Sequence, residues 1–81
     1  MTEKEVQLLG FEKHYFDNEI DYYYVHDITA GLSFISSSGE EAVGYGQWFV
    51  EVFNTEHPVR FYKFEEVQSL INLLEKHLIR K

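Results

Sequence analysis

Four histidines, His14, His26, His57 and His77, are the residues of this chain best suited to metal binding or proton transfer. None has a second His or an acid at the spacing that a helical zinc motif requires. His26-Asp27 is the nearest thing to a pair. Neighbours on a strand point to opposite faces, so these two cannot easily share an ion or act as an acid–base couple. Asp21 and Asp27 flank Tyr22-Tyr23-Tyr24, but six residues of strand put them about 20 Å apart. That is too far for a catalytic carboxylate pair. Ser36-Ser37-Ser38-Gly39-Glu40-Glu41 has the look of a phosphate-binding turn. It lacks the Lys of a P-loop, its glutamates would repel phosphate, and the sequence after it reads as a strand, where a P-loop leads into a helix. With no Cys there is no thiolate nucleophile, thiolate metal site or disulfide. The chain is therefore expected to have no catalytic residue, metal or cofactor, and not to be an enzyme.

The charge narrows the partners. The net charge is −7 over 81 residues. Residues 1–59 set most of the acids against Lys4 and Lys13 alone, while residues 60–81 are mildly basic. An acidic body disfavours nucleic-acid backbones and anionic membrane surfaces, and suits a basic protein partner. Met1-Thr2-Glu3-Lys4-Glu5 holds no apolar run of the kind a signal peptide needs. No apolar stretch approaches the roughly 20 residues that span a bilayer. A soluble, cytoplasmic protein with neither nucleic acid nor membrane as partner is expected.

The elements that must position these residues follow from period and punctuation. Val6 to Glu12 reads as a first strand, Ile20 to Ile28 as a second, Leu32 to Ser36 as a third, Gln47 to Asn54 as a fourth and Val59 to Tyr62 as a short fifth. Asp17-Asn18-Glu19 and Thr55-Glu56-His57-Pro58 are turns. Three glycines in the polar stretch 37–46 predict a mobile loop. Val67, Leu70, Ile71, Leu74 and Leu78 recur at helical spacing and predict a helix over Phe64 to Ile79. Its acids stand at the start and its bases near the end, as the helix dipole favours. The predicted fold is a single α+β domain spanning 1–81: an antiparallel sheet of four to five strands with one C-terminal helix packed on one face.

One helix covers one face, and both faces of this sheet carry large apolar rings. Strand alternation assigns Trp48, Val50 and Val52 to the covered face. It assigns Tyr23, Phe49 and Phe53 to the open one, with Asp21, Asp27 and Glu51 around them. Trp and Tyr dominate interface hot spots, and a contiguous apolar face usually marks a contact. Those six residues are the candidate partner-binding set. The expected activity is non-enzymatic protein–protein interaction, first of all with a second copy in a symmetric homodimer, through the open face or by pairing of strand edges. The competing reading is an acidic mimic of nucleic acid that inhibits a DNA- or RNA-handling enzyme.

The segment Val59-Arg60-Phe61-Tyr62-Lys63-Phe64-Glu65-Glu66-Val67-Gln68-Ser69-Leu70-Ile71, a short strand running into a helix, resembles the endings of small acidic proteins of bacterial and phage or prophage genomes. The resemblance covers 13 residues. It implies an accessory or interaction protein and assigns no site residue.

Overall fold

A computed structural model describes residues 1–17, 20–53 and 56–78. Among these residues eight elements follow in order: α1 (Glu3–Leu8), β1 (Glu12–Tyr15), β2 (Tyr22–Thr29), β3 (Leu32–Ser36), α2 (Gly39–Tyr45), β4 (Val50–Val52), β5 (Arg60–Phe61) and α3 (Phe64–Lys76). The five strands form one sheet in chain order, each antiparallel to the next. The class is α+β, with the expected C-terminal helix. Asn18 and Glu19 of the first turn, Asn54 and Thr55 near the second, and the chain beyond Leu78 lie outside the described residues.

Two expectations are corrected. The segment from Val6 is not a strand: Glu3–Leu8 is helical, and the first strand starts at Glu12. Residues 39–45 are not a loop but α2. Both helices begin with a capping box. Thr2 Oγ1 accepts from the Glu5 N–H while the Glu5 carboxylate accepts from the Thr2 N–H. Ser38 and Glu41 repeat the exchange on α2. Each box satisfies two backbone donors that a helix start leaves open. Gly10 just after α1 and Gly46 just after α2 take positive φ, the left-handed geometry that ends helices at least cost in glycine.

The core lies between the sheet and the helices α1 and α3. Tyr24, Phe34 and Val50 project from three neighbouring strands into it, and meet Val6 from α1, Val67 and Ile71 from α3, and Ala42 from α2. Trp48 packs beside Tyr22 and Tyr24 at the α2 end. This is the face expected to be covered, in the expected register.

Polar bonds tie the first helix down. The Glu3 carboxylate accepts from the Tyr22 hydroxyl at 3.1 Å and from the Tyr24 hydroxyl at 2.6 Å. Gln7 donates to the Tyr24 oxygen at 2.9 Å. Burial, followed by the adjacent Glu3 carboxylate, raises both tyrosine pKa values above the ordinary phenol range. Both therefore stay neutral donors at any physiological pH.

Candidate interaction face

Among the described residues the second face of the sheet is met by a helix only at Phe49, where Tyr45 of α2 (Gly39–Tyr45) packs against it. Directly opposed residues of an antiparallel pair share a face, so the register writes this surface out in rows. One row crosses all five strands: Glu12, Val25, Ile35, Glu51 and Arg60. On one side of it stand His14 and Tyr23. On the other stand Asp27 and Ser33, with Phe53 next in line through its N–H bond to the Ser33 carbonyl. Tyr23, Val25, Asp27, Ser33, Ile35 and Phe53 enclose a shallow depression of about 160 Å³. That volume suits one or two inserted side chains and is small against the 300 Å³ and more of ordinary small-molecule sites.

The six residues expected to bind a partner divide into three groups. Tyr23, Phe53 and Asp27 line the depression together. Phe53 is 54 % exposed, and Tyr23 is braced by Phe16 and His14, whose rings lie 4.8 and 5.8 Å away. The Ser33 hydroxyl donates to Asp27 at 2.7 Å and fixes that carboxylate at the rim.

Phe49 and Glu51 share the face but are engaged within the chain. Phe49 is only 2 % exposed. Tyr45 meets it edge-on, Tyr62 lies tilted against it, and the Arg60 guanidinium sits 4.5 Å from its ring centre. The expectation of an open anchor at Phe49 fails because α2, read as a loop, delivers Tyr45 onto the ring. Arg60 Nε donates to Glu51 at 2.6 Å. The Tyr45 oxygen, then Glu51 and Tyr62, hold the guanidinium pKa above its already high ordinary value, so the cation is permanent.

Asp21 does something else again. It stands just before β2, and its Oδ1 accepts from the Tyr22 N–H at 2.9 Å and the Glu40 N–H at 3.1 Å. Burial alone would push this carboxyl up. The N–H groups of Tyr22, Glu40 and Gly39 and the Ser38 hydroxyl outweigh it and hold the carboxyl below its ordinary value. The stretch 36–41 thus does open a helix, contrary to expectation, and that helix start already holds the chain's own carboxylate.

Valine and isoleucine at 25 and 35, the floor of the depression, were not singled out from sequence. The signal was present: both alternate with core residues on their strands. Among the described residues no three His, Asp or Glu side chains converge as a metal site, and no helix is long and apolar enough to cross a membrane. Compared with protein-family models, with curated proteins and with solved structures, the chain matches none of them.

Proposed function

We propose that the protein is a non-enzymatic interaction module that docks another protein on its open sheet face. The observation behind this reading is the apolar depression formed by Tyr23, Val25, Ile35 and Phe53, framed by Glu12, Asp27 and Glu51. Aromatic and β-branched side chains on rigid strands, with a charged rim, are the composition of a contact centre. The depression is too shallow to shield a reaction from water.

A second copy is one occupant of this face and a different protein is the other. Charge weighs for the second. Face-to-face pairing of two copies brings acidic rim against acidic rim, and each chain carries −7. Edge pairing meets obstacles of its own. All four residues of β1 are exposed and two of them are charged, while β5 has only two residues. Short and charged edges resist strand addition. The nucleic-acid mimic would need free acids on one surface, and four of them, Glu3, Asp21, Glu51 and Glu75, are bonded to other parts of the chain.

The test is capture from cells of the source organism with the immobilised full chain, beside Phe53→Asp and Val25→Asp variants shown to fold by circular dichroism. A protein retained by the wild type and lost from both variants is the expected outcome. Equal capture by all three would show that contact is made elsewhere.

A further inference from the structure

We propose that the occupant of the open face is a short cationic amphipathic helix of a partner protein; the inference rests on reading that face as a docking site. Three observations converge. The first is backbone satisfaction. The interior strands β2, β3 and β4 are each paired on both sides, so the open face presents side chains and no spare ladder bonds. A strand laid on it would leave its own N–H and C=O groups unsatisfied. A helix arrives with its backbone bonds made, and helix on sheet is the layer packing this fold already uses on its other face.

The second is size. Glu12 and Glu51 close the apolar strip on either side, three strand spacings apart, or about 14 Å. A helix with its side chains is about 10–12 Å across. Along the strands, Tyr23 to Asp27 covers about 13 Å, the length of roughly nine helical residues. The face fits about two and a half turns.

The third is charge. Of the described strand residues, Arg60 is the one cation whose register puts it on this face, and Glu51 and the Phe49 and Tyr45 rings already hold it. Glu12 and Asp27 remain on the rim, one strand and two residues from each other, and together make one acidic corner of the strip on its β1 side. An amphipathic helix with Leu-type residues on one side fills the floor between Tyr23 and Phe53. Lysines along the β1-side flank of that stripe can lay their stems on apolar surface and bring their ammonium groups to the two carboxylates. The complementarity steers encounter and excludes acidic competitors.

The probes are synthetic peptides: a helix-patterned leucine–lysine peptide, a scrambled isomer of the same composition, and a leucine–glutamate counterpart. Each is titrated into the isotope-labelled full chain. The patterned leucine–lysine peptide should shift the amide signals of Tyr23, Val25, Ile35 and Phe53. The other two should bind at least about tenfold more weakly, and Glu12→Gln with Asp27→Asn should remove most of the preference over the leucine–glutamate peptide and flatten the salt dependence of binding. Equal binding by the scrambled isomer overturns the helix and leaves only charge attraction. Equal binding by the leucine–glutamate peptide overturns the cationic partner but leaves the face a docking site. If no peptide perturbs the face and Phe53→Asp lowers the chain's mass in sedimentation, the occupant is a second copy. If no peptide perturbs it and the chain is monomeric, the docking reading itself fails.

Discussion

Asp21 occupies the start of α2 much as a bound anion would. Its carboxylate joins three parts of the chain at one point: the entry to β2, the N-terminus of α2 and the buried Ser36-Ser37-Ser38 run. Its folded pKa is lowered, so the unfolded chain takes up the proton first. The stabilisation is therefore present above the ordinary value of 3.8 and is lost as pH falls below it. Asp21→Asn should melt below wild type at neutral pH. The gap in melting temperature should close as pH falls from about 4 to about 2. A gap that stays constant over that range would mean that the side chain's shape, not its charge, is what matters. The Glu3 carboxylate is a second such point. Hydrogen bonds to a charged partner are worth roughly 1.5–3 kcal/mol, and one carboxylate serves both tyrosine hydroxyls. Glu3→Ala and Tyr24→Phe should then cost less in combination than the sum of the two, which denaturant unfolding of the four-member cycle measures.

At the scale of elements, α3 separates its two roles cleanly. Ile71 is buried in the core and Leu73 faces out. Ile71→Ala should cost roughly 2–5 kcal/mol, and Leu73→Ala should stay within about 0.5 kcal/mol. Lys63 occupies the N-cap of α3 with extended backbone and no side-chain bond to the helix. Lys63→Asp should raise stability by about 1 kcal/mol, supplying both the missing acceptor and the favoured charge; an unchanged unfolding midpoint would show that the neighbouring backbone already satisfies that end. Strands β2, β3 and β4 and helix α3 are legible because each carries its own period: Trp48, Val50 and Val52 alternate with Phe49, Glu51 and Phe53, and Val67 with Ile71 spans one helical turn. The helices α1 and α2 are not, because six and seven residues are fewer than two turns and show no period. The information lay in their ends. Thr2 with Glu5, Ser38 with Glu41, and the glycines at 10 and 46 are start and stop signals that the run Val6-Gln7-Leu8-Leu9 and the glycine count obscured. The same omission hid the fate of Phe49: without a helix at 39–45, nothing in the sequence places Tyr45 over it.

On the scale of the whole molecule, the open face sets an attraction against a repulsion. Tyr23, Val25, Ile35 and Phe53 favour burial against any apolar surface, a second copy included. The rim carboxylates and the net charge of −7 oppose it between like chains. Salt shifts both sides of this balance toward association. Screening length falls from about 10 Å at 0.1 M to about 3 Å at 1 M, while apolar attraction is undiminished and is strengthened by excluded salts such as sulfate. Sedimentation at tens of micromolar protein should therefore find a monomer at low ionic strength and growing self-association as sulfate is added. The doubly neutralised Glu12→Gln, Asp27→Asn chain should associate at lower salt than wild type. Phe53→Asp, which adds a charge at the centre of the contact, should stay monomeric throughout. A stable dimer at low salt, dispersed by Phe53→Asp, would instead make the second copy the natural occupant and bring back the symmetric homodimer expected from the sequence. The rim acids would then lie outside the contact, where solvent screens them, and their neutralisation would leave the dissociation constant almost unchanged.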